Sequence, residues 1–302
     1  AESLVKSFLA CLLVCWSALA PATVHAQAQT LDVPYVPTPA GVVDAMLKMA
    51  NVGASDYVVD LGCGDGRLVI TAAKQYGAHG FGVDLDPRLV NEAQHEAARQ
   101  GVQDHVAFYE RNLYITDFSR ASVLTLYLFP KVNLDLRPRL FSEVRPGTRV
   151  VSHDFDFGAW EPDEKQVVAV PGKSYGPPQS TLYFWIVPAN ASGRWTWQLG
   201  DGGNARDYDV TLEQTFQMLR AQAAGAVRDG AGRMRGDEVR FTLTVEAGGQ
   251  TMRQEYRGRL DGDTIVGSVR SEDAAGEHAW KATRMTRGKI NIEEFVATPG
   301  KS

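Results

Sequence analysis

The 302-residue sequence has only three cysteines. Two of them, Cys11 and Cys15, fall in one apolar run near the N-terminus, which leaves Cys63 alone in the remainder. A disulfide framework and a Cys/His zinc cluster are excluded, and no metal site is expected. An excess of basic charge is also missing. The 31 Lys and Arg are outnumbered by 36 Asp and Glu, for a net charge of −5. With no long basic run, broad electrostatic binding to nucleic acid is disfavoured, and no nucleic-acid partner is expected. Long apolar runs are absent too: the stretch 8–16 is too short to cross a bilayer comfortably.

That short run has a different use. Lys6 precedes it, and Val24-His25-Ala26 offers a small-residue cleavage site. Residues 1–26 therefore read as a signal peptide, with the mature chain exported to a periplasmic or external space. If the segment stays uncleaved it becomes an anchor, and membrane association would run through it alone.

The rest of the chain is organised around VVDLGCGDGR at 58–67. It reads as a short buried strand, a tight glycine turn and the start of a helix. Gly62, Gly64 and Gly66 let the backbone turn sharply and let a ligand approach without meeting a Cβ. The following helix aims its free N–H groups and positive dipole end at the turn. Asp60, at the strand tip, can accept from a ligand cation or hydroxyl. Glycines at this spacing are expected about 0.3 times by chance in such a chain, so their context matters. An apolar strand precedes them, and Leu68, Val69, Ala72 and Ala73 follow at helical spacing. A second strand then ends in Asp84, at the distance a ribose-binding carboxylate needs in a βαβ unit. A dinucleotide fingerprint would require a glycine three residues after Gly64, and Arg67 stands there, which disfavours NAD.

Upstream, Pro34, Pro37 and Pro39 preset an extended path, with Thr38 as N-cap of a helix whose first residue is Pro39. Strands are expected at 57–61, 80–85, 105–109, 121–129 and 148–155, separated by helices that begin after Gly66, at Asp86-Pro87 and at Pro130. An antiparallel pair, 166–170 with 181–187, closes the series. Pro138 is a candidate kink in the Pro130 helix. Strands alternating with helices predict an α/β, Rossmann-like sheet with helices on both faces. Residues 31–188 make this domain, and 189–193 read as a linker. Beyond it, short alternating runs at 194–199, 208–212, 239–245, 254–260, 264–269 and 278–283 predict a small antiparallel β domain over 194–286, a sandwich or partial barrel. The 200–203 glycines read as a hairpin turn, and 287–302 as a tail.

The first domain resembles the class I S-adenosylmethionine (SAM) methyltransferases, in the branch of small protein-lysine N-methyltransferases acting on the ATP synthase c subunit and the adenine nucleotide translocase. The matching stretches are 34–39, 60–70, 82–87, 125–133 and 145–155. The resemblance implies SAM as cofactor and the following roles. Gly62, Gly64 and Gly66 line its methionine half, with Asp60 near the amino group. Asp84 binds the ribose hydroxyls and Asn112 contacts adenine, where relatives often carry Asp. Tyr35 and Thr38 lie in the loop over the cofactor. At 127–130 the chain has Tyr-Leu-Phe-Pro where amino methyltransferases keep a polar-Pro-Pro-aromatic loop, so a matched amine-binding motif is missing.

Methyl transfer from a sulfonium mainly needs alignment and exclusion of water. A lysine nucleophile must also lose a proton. Tyr127, Asn133, His153 and Asp154, at the tips of the fourth and fifth strands, are the candidates to assist, with Tyr127 and His153 foremost as catalytic residues. Each has a plain packing role as its rival. The leading function is SAM-dependent N-methylation of a protein lysine or other amine. The alternatives are a small-molecule or lipid methyltransferase, and a non-catalytic SAM-fold binding protein using its β domain for interaction.

Overall fold

The computed structural model describes residues 35–293, apart from 174–175, 201–204, 224–226, 229, 248 and 273–275. The expected signal peptide, the 200–203 turn beyond Gly200 and the end of the tail lie outside the described residues.

Seven strands form the first sheet: β1 Tyr57–Leu61, β2 His79–Asp84, β3 Val106–Glu110, β4 Val123–Leu126, β5 Arg149–His153, β6 Glu164–Ala169 and β7 Gln179–Ile186. Their order is β3-β2-β1-β4-β5-β7-β6. The first five run parallel, and β7 lies antiparallel between β5 and β6. The helices are α1 Ala40–Met49, α2 Arg67–Tyr76, α3 Pro87–Arg99 and α4 Pro130–Glu143. α1 and α2 bury Val42, Met46, Leu47, Leu68 and Ala72 with Val58, Val123 and Val151 of the sheet. α4 buries Leu136 and Leu140 with Val59, Leu61, Leu124 and Leu126. Successive residues of β1 thus enter opposite cores, so the strand is apolar throughout instead of alternating. The strand order reverses direction between β1 and β4, and in open α/β sheets a ligand crevice forms at that switch.

Several boundaries follow their sequence signals. β1 and α2 span 57–61 and 67–76, with Gly77 in the left-handed region at the end of α2. Asp86 caps α3 by accepting from the Arg88 amide. Thr38 is a correction. α1 starts at Ala40 with Pro39 as its N-cap, and no side chain caps it. The Thr38 hydroxyl turns instead to a distant histidine. β4 is shorter than its apolar run because the chain leaves the sheet after Leu126 to pack Leu128 on the glycine turn. Helix α4 continues through Pro138.

The second sheet holds β8 Gly193–Leu199, β9 Arg206–Thr215, β10 Met218–Ala223, β11 Val227–Arg228, β12 Gly230–Arg235, β13 Glu238–Ala247, β14 Gln250–Asp261, β15 Thr264–Ser271 and β16 Glu277–Arg287. Antiparallel pairing runs along the chain, and β16 returns to β8, so the sheet closes into a barrel. Closure removes the sheet's exposed edges. Alternate residues point inward, and Trp195, Trp197, Tyr208, Phe241, Tyr256 and Trp280 fill the interior. At one end the buried Arg284 guanidinium lies 4.4 Å from the Trp195 ring centroid and donates to the carbonyls of Asn190 and Ser192. The stretch 189–193 is thus a packed junction, with Ala191 fully buried.

Candidate functional site

The glycine turn sits at the carboxyl end of β1. The amides of Gly62 and Cys63 both donate to the Val83 carbonyl, tying the turn to β2. Gly64 and Gly66 have φ of 53° and 76°, where side chains are strained. They also lack space: a Cβ on Gly64 would lie 2.5 Å from the Tyr35 ring, and one on Gly66 2.7 Å from Phe108. Gly62 faces Leu128, so the segment after β4 closes directly on the turn.

Two carboxylates serve this turn differently. Asp84 accepts from the Gly64 amide at 2.9 Å and from the Asp86 amide at 3.0 Å. It therefore braces the glycine loop, and each oxygen keeps a lone pair for a ligand hydroxyl. Asp60 is 3% exposed and accepts from the Thr125 hydroxyl at 2.8 Å. Among the described residues no basic side chain pairs with it. Burial pushes its carboxyl up to about 7, the Thr125 bond opposes this, and the negative charges of Asp84 and Asp65 add to it. A buried carboxyl without a counter-ion, at the lip of a glycine turn, fits a ligand that brings its own cation.

The lead-in segment locks onto the same loop. The Arg67 guanidinium pairs with Asp65 and donates to the Thr38 carbonyl at 2.8 Å. The Tyr35 ring lies over Gly64, and its hydroxyl is pushed up to about 12 by burial and by neighbouring Asp65. Asn112 accepts from the Tyr114 amide at 2.8 Å, capping the 3₁₀ turn Leu113–Ile115 just beyond β3. Its side-chain oxygen is thus partly committed to the turn.

The acceptor side is built by the ends of β4 and β5. Tyr127 stacks on His153 with centroids 3.8 Å apart, and Phe155 lies 6.3 Å from Tyr127 and 5.9 Å from the exposed Phe129. His153 is buried behind Tyr127. Its Nδ1 meets the Thr38 hydroxyl at 3.3 Å and its Nε2 the Ser180 hydroxyl at 2.8 Å. Burial lowers its pKa to about 4; Asp154 opposes that and Lys173 reinforces it. The imidazole is neutral at pH 7 with both nitrogens engaged. Asp154, at φ 61°, accepts from Lys173 Nζ at 2.6 Å and from the Thr181 amide at 2.9 Å. The Asn133 amide nitrogen donates to Ser152 Oγ and to the carbonyls of Phe155 and Asp156. The Tyr127 hydroxyl makes no hydrogen bond among the described residues.

The structure brings the expected site residues together at the carboxyl ends of the parallel strands: Tyr35, Thr38, Asp60, the three glycines, Asp84 and Asn112 about the glycine turn, and Tyr127 with the buried His153 at the ends of β4 and β5. Sequence reading missed the Asp65–Arg67–Thr38 clamp, Phe129, Phe155 and Ser180. The Asp-x-Arg spacing after the second glycine was the available signal for the clamp. A separate groove of about 570 Å³ lies on the helical side, lined by Ala40, Lys74, Glu92 and Arg99 among others, and shares only Asp65 and Arg67 with the crevice. Its mixed charges do not converge on one ligand chemistry. Among the described residues no cluster of three metal-ligating side chains occurs, and no helix is long and apolar enough to cross a membrane.

Comparisons with known proteins agree on one half of the chain. The model of the ANTKMT methyltransferase domain matches residues 60–164. A protein-lysine N-methyltransferase of Saccharolobus islandicus is 41% identical over 156 residues, covering 51% of this chain and 94% of that protein. The Xenopus laevis lysine N-methyltransferase of the ATP synthase c subunit is 36% identical, over 50% of this chain and 66% of its own. The adenine nucleotide translocase lysine N-methyltransferase of Mus musculus is 34% identical, over 54% and 66%. The chain thus spans just under two thirds of these two animal proteins. A solved Salinibacter ruber structure, described as an RNA methyltransferase in complex with S-adenosyl-L-homocysteine (SAH), is 49% identical, over 50% of this chain and 93% of that one, with a TM-score of 0.46. The barrel lies beyond the matched domain.

Proposed function

Because this chain belongs to the protein-lysine N-methyltransferases, a family of SAM-dependent enzymes, we propose that it methylates the ε-amine of a lysine on a protein outside the cytoplasm. The observation that carries the reading is Asp60: a buried carboxyl at the lip of a glycine turn, paired with no basic side chain among the described residues. The amino group of a methionine-derived ligand supplies the missing cation. Asp84 would hold the ribose, the three glycines would admit the methionine chain, and Asn112 would flank adenine. SAM, when bound, supplies a methyl group on a sulfonium that leaves as a neutral thioether.

The chain's own residues do the remainder. Leu128 against Gly62 brings the acceptor side beside the turn. Tyr127, Phe129 and Phe155 form an apolar wall that strips water from an incoming lysine stem, and alignment without water is what this transfer needs. His153 is a poor base, since burial lowers its pKa to about 4 and both its nitrogens are taken. Asp154 is committed to Lys173 and the Thr181 amide, and Asn133 holds the loop through its amide nitrogen while its Oδ1 is buried and unpartnered. Tyr127 has the untethered polar group on the wall, placed to accept from or orient the amine. The lysine proton leaves to solvent before the amine enters. Lys6, the apolar run at 8–16 and the small residue Ala26 support the export part of the reading, and membrane association would require that segment to remain.

The test is a labelling experiment. Purified protein is incubated with methyl-tritiated SAM and an envelope fraction from the source cells, and the products are hydrolysed with acid. Tritium in methyllysine supports the reading. Tritium released by ribonuclease, or extracted with lipid, would replace it with another acceptor class.

A further inference from the structure

We propose that Phe216, at the tip of the β9–β10 hairpin, is a positioning residue for the acceptor wall, so that the barrel sets the geometry of the loop after β5. The significance of that loop rests on the methyltransferase reading; the packing does not.

The hairpin is unusual for its sequence. Two residues, Phe216 and Gln217, separate β9 from β10, and Phe216 adopts φ 51°. Two-residue hairpins normally place glycine or asparagine where φ is positive. Hairpin tips are also normally exposed, yet Phe216 is 4% and Gln217 2% exposed. A tip that breaks both rules is held by what it docks into. Phe216 enters the core on the α4 face of the first sheet. It stacks near Trp160, at 6.5 Å and 14°, beside Phe141 and under the Arg137 guanidinium. Gln217 donates to the Glu161 carbonyl at 2.6 Å. Arg233 and Arg235 of β12 pair with Asp163 and Glu164 just beyond.

The loop from 154 to 163 is therefore held from two sides. From α4, Asn133 donates to the carbonyls of Phe155 and Asp156, and Arg137 to that of Phe157 at 2.9 Å. From the barrel, Phe216 backs Trp160 and the Arg137 that fixes Phe157. The other end of this loop carries Phe155 and the left-handed Asp154, beside Tyr127. The barrel tip and the acceptor wall are thus opposite ends of one short, doubly clamped segment. Two of the three non-glycine residues at positive φ among the described residues belong to this arrangement: Asp154 begins the loop, and Phe216 packs against its Trp160 from the barrel. The matched methyltransferase model stops at residue 164, so the loop and its α4 partners lie within the matched range, while the barrel partners Phe216, Gln217, Arg233 and Arg235 lie beyond it.

The experiment is amide-resolved hydrogen exchange on the full chain, for wild type, Phe216→Ala, Phe216→Leu and Gln217→Ala, with SAH titration on each. The expected result for Phe216→Ala is at least tenfold faster exchange at Asp154 and Phe155, unchanged exchange at the 62–67 turn, and an SAH dissociation constant within twofold of wild type. Phe216→Leu should recover most of the protection. A residue that merely fills space would speed exchange next to Trp160, or everywhere at once, and leave Asp154 and Phe155 no worse than the average; that pattern overturns the proposal. If Phe216→Ala does not fold, Gln217→Ala decides on the same two amides, with a smaller but localised effect expected. Wild-type protein that fails to bind SAH would sink the methyltransferase reading and leave the exchange comparison intact.

Discussion

Asp60 makes ligand binding depend on pH in a direction that can be worked out. Burial raises its carboxyl from 3.8 to about 7. At about 1.36 kcal/mol per pH unit, ionising it there costs roughly 4 kcal/mol more than in the unfolded chain. An acid with a raised pKa holds a proton in the native state that the unfolded state has lost. Native stability therefore falls as pH rises from about 4 to about 7, and Asp60→Asn should remove that decline. Binding runs the other way. A ligand ammonium pairs with the ionised form, so SAH binding must expel the proton wherever Asp60 still carries it. At pH 6 most of one proton should be released per SAH bound, and the release should shrink as pH rises past the carboxyl's pKa. The SAH dissociation constant should weaken about tenfold per pH unit below 7, down to the pKa of the bound state. Calorimetry in two buffers of different ionisation enthalpy reads both quantities. Buffer-independent heats and a flat dissociation constant from pH 5.5 to 8 would refute the role given to Asp60.

Three further outcomes are expected. Asp84→Ala removes two backbone contacts of a charged acceptor, each worth roughly 1.5–3 kcal/mol, so it should both lower the melting temperature and weaken SAH at least tenfold. Loss of stability with SAH affinity kept within about twofold, less than one hydrogen bond's worth, would make Asp84 a brace only. Tyr35→Ala should weaken SAH several-fold with little change in melting temperature, because the ring is 44% exposed yet covers Gly64; equal SAH affinity in calorimetry would reduce this segment to a helix lead-in. Protein recovered from fractionated source cells should begin near Gln27 by intact mass, and a full-length cytoplasmic species would contradict export.

The crevice is legible in the sequence because its signals are local. The strand-turn-helix at 57–76 is encoded by consecutive apolar residues, three glycines and Gly77, all acting within a few residues of one another. The acid at the end of β2 follows from the same βαβ periodicity. Thr38 misleads because a hydroxyl before a helix has a local use, capping, and a distant one, His153, which only the folded sheet brings near. In the barrel, β10 and β12 escape notice because MLRAQA and GAGRMR are rich in alanine, glycine and arginine and lack β-branched residues. Their strand state is imposed by neighbours on both sides. Phe216 is illegible for the same reason: nothing near it explains a phenylalanine in a tight turn, and its partners Phe141 and Trp160 lie more than 50 residues away.

The most direct test of where the chemistry happens is a crystal structure of the chain with SAH. The ligand ammonium should lie within hydrogen-bond distance of Asp60, the ribose hydroxyls should meet Asp84, and the sulfur should face the wall of Tyr127, Phe129 and Phe155. SAH found in the helical groove beside Lys74 and Arg99, with Asp60 left facing no cation, would contradict the account.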